Sequence, residues 1–321
     1  MKLMKKLMIF VATLAIVFSI SACGALQDED TIVIGEASWD SNKFHNQIAR
    51  ILIEEGYGVE VDLVTADTSV MVASLKADNM DLTMELWSDN IPSYQDDIDA
   101  GDYVELSVNF DDNEQGLYIP TYLQEQYPGL QTVQDLPDYV HLFPDLDSDK
   151  GLILAGPNGW SATSFLKDKM VEYNLDDDYK LKTLETATLY ATLADAYANE
   201  DPWVGYNWTP TWVSGVYDLT LLEDSEYNEE DFANGIGEFP SVDVNVVAHP
   251  DLETNYPEVV EFLRNYETSS ELTSSALAYM QENDVDAEAA AIWFLLENED
   301  LWSQWVTTDA YDSTMEYLNA Q

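Results

Sequence analysis

Four tryptophans share one kind of position in this chain. Trp39 comes after the apolar run Thr31-Ile-Val-Ile-Gly35, and Trp87 comes directly after Leu82-Thr-Met-Glu-Leu86. Trp160 follows Leu152-Ile-Leu-Ala155 and the turn Gly156-Pro-Asn-Gly159, and Trp208 follows Trp203–Tyr206. Indole faces do two jobs in recognition. They stack on sugar rings, and they hold quaternary ammonium cations by cation–π attraction, worth about 0.5–2 kcal/mol per face when desolvated. A methylated ammonium has no N–H donors to leave unpaired, so aromatic walls select it over the strongly hydrated Na⁺ and K⁺. Three or four such faces sum to several kcal/mol, a large part of the roughly 8 kcal/mol of micromolar binding.

The elements around these residues decide where the indoles point. Thr31–Gly35 has the continuous apolar pattern of a buried strand, and Asn42–Glu55 spaces Phe44, Ile48, Ile51 and Leu52 at helical intervals before Gly56. Val59–Val64 predicts a second strand, Ser69–Ala77 a second helix and Asp81–Leu86 a third strand. This βαβαβ start predicts a mostly parallel sheet whose ligands lie at the carboxyl ends of the strands, where the tryptophans fall. A second alternation runs through strand 152–155, helix Ser161–Tyr173, helix Ala187–Asn199 and strand Trp203–Tyr206. Gly116–Pro120 reads as a strand leading to a crossover, Ser241–Ala248 as a β-rich run returning to the first lobe, and the chain from Pro257 onwards as helical. The expectation is two α/β lobes, the first from residues 31–120 and 241–321, the second from 121–240.

Composition narrows the partners. There are 62 acidic against 12 basic residues, a formal net charge of −50. Phosphate binding needs clustered cations, so nucleic acid is excluded. Disorder is excluded by 46% hydrophobic and 12% aromatic content. What remains is a folded protein with a densely carboxylated surface. Such a surface self-repels in dilute buffer but is screened in brine, where the Debye length falls to roughly 3 Å at 1 M, and saline surroundings are expected.

The amino terminus is set apart from this fold. Lys2, Lys5 and Lys6 precede the apolar run Leu7–Ile20, which reads as a secretory leader over residues 1–22. Its end, Ser21-Ala22-Cys23, resembles the lipobox of bacterial lipoproteins. The resemblance implies cleavage before Cys23 and acylation of its thiol, with residues 23–30 as a tether to the membrane. With one cysteine in the chain, disulfides and cysteine metal sites are out of consideration.

Longer stretches carry a family resemblance. AGPNGWSAT (155–163) and YNWTPTWVS (206–214) resemble the substrate-binding proteins of glycine betaine/choline ABC importers, as do residues 35–62, MELWSDNIPSY (84–94), NEQGLYIP (113–120) and the ending 287–306. The resemblance covers nearly all of the chain after the leader. It implies a two-lobed, type II periplasmic-binding-protein fold that closes like a flytrap, and a monomer with no cofactor that works with a permease and its ATPase. It implies a cage of Trp87 from the first lobe with Trp160 and Trp208 from the second, and makes Trp39 a further candidate. A ligand carboxylate would be held by the backbone N–H groups of Ser161 and Ala162, which open a helix whose dipole supports the role. Many relatives read Asn-Trp-x-Pro at the first cage tryptophan, with a His soon after in some. This chain reads Glu85-Leu-Trp-Ser-Asp-Asn90, so Asp89 and Asn90 are expected to alter the polar contacts to the ligand. Asp40, beside Trp39, could accept a hydrogen bond from the hydroxyl that choline carries.

Other signals are weaker. Asp145-Leu-Asp-Ser-Asp149 has three carboxylates at calcium-loop spacing, but the glycine is displaced by one position and position twelve is Gly156, which excludes an EF-hand. A looser calcium loop stays open there. Gly159-Trp-Ser-Ala-Thr163 is not a nucleophile elbow. His45, His141 and His249 lie in unrelated contexts, with no nucleophile–base pair and no metal pattern. The reading is a non-enzymatic receptor for glycine betaine. Choline, carnitine or a sugar are the alternatives within the binding class, and a glycosidase with paired carboxylates is the enzymatic one.

Overall fold

A computed structural model describes residues 31–321. The leader, Cys23 and the tether lie outside the described residues. The chain first builds β1 (Thr31–Glu36), α1 (Asp40–Ile51), β2 (Glu60–Thr65), α2 (Thr68–Lys76), β3 (Leu82–Trp87) and β4 (Val104–Phe110). It then makes β5 (Gln115–Pro120), β6 (Gly151–Ala155), α3 (Ser161–Glu172), β7 (Tyr179–Thr183), α4 (Thr186–Asn199), β8 (Gly205–Trp208), α5 (Trp212–Val216) and β9 (Leu219–Leu221). It closes with β10 (Val244–Ala248) and the main helices α6 (Pro257–Asn265), α7 (Ser270–Asn283), α8 (Ala287–Glu297) and α9 (Thr308–Leu318).

Two five-stranded sheets result, in the orders β2-β1-β3-β10-β4 and β7-β6-β8-β5-β9. In the first, β1 is parallel to β2 and β3, while β10 is antiparallel to both β3 and β4. In the second, β6 is parallel to β7 and β8, while β5 is antiparallel to both β8 and β9. Each sheet is therefore mixed but mostly parallel, with one strand opposing the rest. The opposing strand is in each case the one that arrives from the other lobe. This is a two-lobed α/β periplasmic-binding-protein fold.

One boundary expected from sequence moves. The sequence pattern places residues 115–120 in the first lobe, but β5 pairs with β8 and β9 in the second sheet. The first crossing is thus 111–114, before that strand. The apolar run of β5 marked a strand but not which sheet receives it, because pairing is set by non-local contacts. The returning crossing lies against the first: Asn113, fully enclosed, donates to the Val242 carbonyl at 2.6 Å and accepts from the Val242 N–H at 3.1 Å.

The cores explain the strand sequences. In β1, Ile32 and Ile34 face a core shared with Phe44, Ile48, Phe262 and Phe294, while Val33 faces the opposite core with Met71 and Leu75. Ile153 and Leu154 of β6 divide between the two faces of the second sheet in the same way. Gly35 lets α2 approach, since a Cβ there would lie 2.9 Å from the sulfur of Met71. Gly215 lets α5 lie backbone to backbone on α7, since its Cβ would meet the Ser274 carbonyl oxygen at 2.2 Å. Among the described residues, no helix is long and apolar enough to cross a membrane.

Candidate ligand-binding site

The two lobes place tryptophans at equivalent points of their topology. After the strand that sits second in each sheet order, a turn delivers a tryptophan as the N-cap of the next helix: Trp39 before α1 and Trp160 before α3. The parallel neighbour of that strand ends on the other tryptophan: Trp87 closes β3 and Trp208 closes β8. All four are half-buried and stand at carboxyl ends of parallel strands. The sequence shows no internal repeat; the repetition is one of topology.

Both N-cap tryptophans have extended backbones, and neither caps its helix with its side chain. Their carbonyls accept the first helical bonds, from Lys43 at 3.4 Å and Ser164 at 3.1 Å. Helix geometry then leaves the N–H groups of residues 40–42 and 161–163 without intrahelical acceptors. Ser161 and Asp40 are the first residues of their helices and are exposed, Asp40 pairing with Lys43 at 3.0 Å; Ala162 is buried. Neither Ser161 nor Asp40 is an N-cap. Asn90 ends a short 3₁₀ turn, Ser88–Asn90, directly after Trp87.

The first-lobe pair is held by a residue that sequence reasoning passed over. Glu85 Oε1 accepts from Trp39 Nε1 at 2.8 Å, Trp87 Nε1 at 2.8 Å and Ser41 Oγ at 3.0 Å. Glu85 is fully buried, and its Oε2 has no hydrogen-bond partner. Burial pushes its carboxyl up to about 7, against the three donors that favour the anion. The available signal was an acid inside an otherwise apolar strand, two residues before a tryptophan and so on the same face. Trp87 also meets Phe110 edge to face at 5.9 Å.

The second-lobe pair is in direct contact. Trp160 and Trp208 meet edge to face, ring centroids 5.3 Å apart at 77°. Tyr190 of α4 and Tyr206 of β8 each lie 5.8 Å from Trp208 and support it from behind. Trp212 packs on Tyr190 at 87° and belongs to the surrounding core. The Tyr190 hydroxyl is held well above its usual range by burial, by Tyr206 and by the charge of Asp40. The start of α1 in the first lobe is therefore within electrostatic reach of the second lobe. No ring contact joins the two tryptophan pairs among the described residues.

Two other polar clusters are accounted for locally. Asp145 accepts from Ser148 Oγ at 2.6 Å, from the Asp147 N–H at 3.2 Å and from Lys180 at 2.8 Å, and Lys180 holds its carboxyl down to about 2. Asp78, His249 and Asp251 bring three ligand-type atoms within 4.8 Å. They lie where β3 begins and β10 ends, at the opposite end of the sheet from Trp39 and Trp87. His249 Nδ1 there accepts the Asp251 N–H at 3.3 Å.

The fold defines a class: a two-lobed α/β periplasmic-binding-protein fold, here with a pair of tryptophans at the strand carboxyl ends of each lobe. The sequence matches, over residues 30–297, the family described as the substrate binding domain of ABC-type glycine betaine transport systems, and the chain belongs to that family. It is a family of transporter receptors, not of enzymes. The chain is 29% identical over 162 residues to the glycine betaine/carnitine transport binding protein GbuC of Listeria monocytogenes, a match covering 50% of this chain and 47% of that protein. The match thus spans about half the length of this curated relative. Solved structures share the fold. The glycine betaine/L-proline-binding protein ProX of Borrelia burgdorferi aligns with TM-score 0.64 and 17% identity, over 88% of this chain and 99% of that one. A choline-binding protein in complex with choline aligns with TM-score 0.63 and 20% identity, over 90% and 98%. The lactococcal OpuAC protein, closed on glycine betaine, aligns with TM-score 0.63 and 16% identity, over 87% and 100%.

Proposed function

We propose that this protein is the extracytoplasmic receptor of an ABC importer and binds a quaternary ammonium osmolyte, glycine betaine first among them. The observation that carries the reading is the matched pair of tryptophans at strand carboxyl ends in each lobe. Closing the lobes brings Trp39 and Trp87 towards Trp160 and Trp208. Indole faces then surround a trimethylammonium group, each contributing about 0.5–2 kcal/mol. The amides of Ser161 and Ala162, at the positive end of α3, take the ligand carboxylate. Trp212 stands outside the cage because it lies in α5, past the end of β8, and packs against both lobes' cores.

The closed receptor hands its ligand to a permease driven by an ATPase. Acylation of Cys23 anchors it to the membrane as a monomer. The acidic surface belongs to a protein exposed to brine, where osmolyte uptake serves the cell.

Choline is the second reading. Asp40 favours it, as an exposed carboxylate beside Trp39 whose field reaches Tyr190 across the lobes. Calorimetry with glycine betaine, choline, carnitine and a neutral sugar decides between these. The tightest heat is expected from glycine betaine. Tightest binding of the sugar would end the cation–π reading, and tightest binding of choline, lost in Asp40→Ala, would favour the second reading.

A further inference from the structure

Glu85 does more than fill space under the first-lobe indoles. One carboxylate oxygen takes both indole N–H groups and the Ser41 hydroxyl, so it fixes the rotation of two rings, one from the turn after β1 and one from the end of β3. Hydrogen bonding an indole N–H to an anion pushes electron density into the ring and deepens the negative face that attracts a cation. The other oxygen is buried with no partner, and no cationic side chain pairs with the carboxylate among the described residues.

We propose that Glu85 is the positioning and specificity-determining residue of this half of the site: as an anion it locks Trp39 and Trp87 and makes the site prefer a cation to a neutral molecule of the same shape. The proposal rests on the quaternary ammonium reading above and extends it to a residue behind the rings. It also couples binding to a proton. Burial leaves Glu85 partly protonated near neutral pH in the free protein, and a cation lodged against the two indoles favours the ionised form.

The charged group nearest these rings is Asp40, exposed beside Trp39 and paired with Lys43 at 3.0 Å. The titratable groups packed on that side are His45 of α1 and Tyr266, which follows α6. His45 is buried and neutral, its imidazole pushed down to about 3, and its Nδ1 lies 2.8 Å from the Tyr266 hydroxyl. Tyr266 is buried and neutral, and Glu85 itself opposes its ionisation.

The test uses the whole protein, with tetramethylammonium for the pH series and choline against its neutral isostere 3,3-dimethylbutan-1-ol for the charge preference. Affinities are measured by calorimetry from about pH 5.5 to about pH 8.5, in two buffers of different ionisation enthalpy. For the wild-type protein, tetramethylammonium affinity should rise about tenfold with pH, with proton release near pH 7, for a pKa shift of about one unit. In Glu85→Gln, the amide oxygen still accepts from both indoles. Its cation affinity should be flat with pH and about tenfold weaker at the upper end, with the neutral isostere unchanged. A wild-type curve that is flat with pH and releases no proton overturns the proposal, as does a Glu85→Gln protein that matches the wild type for the cation. Should Glu85→Gln not fold, the wild-type proton release alone decides. A wild-type protein that binds no quaternary ammonium at any pH removes the functional reading and this inference together; failure of Glu85 alone leaves wild-type binding intact.

Discussion

Trp160 and Trp208 meet edge to face with ring centroids 5.3 Å apart, although 48 residues separate them in the chain. One caps the start of α3 and the other ends β8, so the contact is made by the sheet and not by a local turn. It gives the second lobe a preformed aromatic wall. Trp208→Ala should weaken quaternary ammonium binding by at least about 1–2 kcal/mol, read by calorimetry. Trp212→Ala should instead lower the melting temperature, because that ring packs on Tyr190 and Tyr217.

The proposed carboxylate site can be tested at the backbone. Ser161 is the first residue of α3, where proline is tolerated, and Trp160 before it already has the extended backbone that a following proline requires. Ser161→Pro removes one amide donor. Glycine betaine affinity should fall by roughly 1.5–3 kcal/mol, as for a hydrogen bond to a charged group, while tetramethylammonium affinity stays unchanged. Equal losses for both ligands would place the carboxylate elsewhere.

The helix that carries these amides is anchored by a buried ion pair. Lys169 of α3 bonds Asp224 and donates to the Gly237 carbonyl at 2.7 Å, and Tyr173 donates to Asp224 at 2.6 Å. Lys169 also lies over the rings of Phe165 and Tyr173, 5.1 and 4.8 Å from their centroids. Asp224→Ala would leave a buried unpaired ammonium. Urea unfolding should show a loss of about 3–5 kcal/mol. A loss below about 1 kcal/mol would mean that solvent reaches the site.

Glu85 should give the apoprotein an unusual pH profile. Its folded pKa, about 7, lies above the unfolded value near 4.5, so the folded state binds more protons between these limits. Stability from this group is therefore greatest below about pH 4.5 and declines as pH rises towards 7, by roughly 3 kcal/mol. Buried His45, with its pKa lowered to about 3, has the opposite slope between 3 and 6.5. Urea unfolding of wild type and Glu85→Gln across pH 4.5–8 isolates the Glu85 contribution, since His45 is common to both. A difference that does not change with pH would contradict the burial of the charge.

Salt should stabilise this protein. With 62 acidic residues, self-repulsion acts over a Debye length of about 10 Å at 0.1 M salt and only about 3 Å at 1 M. Melting temperature should climb through that range with sodium chloride. A flat series would remove the inference of saline surroundings.

Periodicity revealed the elements with continuous apolar runs. β1, β3 and β6 are legible because neighbours flank them on both sides, and the helices at 40–51 and 161–172 because each buries one face. Strands β4, β7 and β9 are not. All three lie at or next to sheet ends, and Tyr179-Lys-Leu-Lys-Thr183 alternates with lysines, as a strand with one open edge can. The tryptophans of the candidate site were visible because each follows an apolar strand. Glu85 was hidden for the same reason: it reads as an interruption of a strand until the fold brings Trp39, 46 residues away, to its carboxylate. The crossing at 111–114 is not legible in the sequence because a strand's pattern does not say which sheet it joins.

The central claim is that indoles from both lobes enclose a quaternary ammonium group, and a crystal structure with glycine betaine tests it most directly. The account predicts the trimethylammonium nitrogen within about 6 Å of the ring centroids of Trp160, Trp208 and at least one of Trp39 and Trp87. A ligand bound away from these rings, or against one lobe only with the lobes closed, would contradict it.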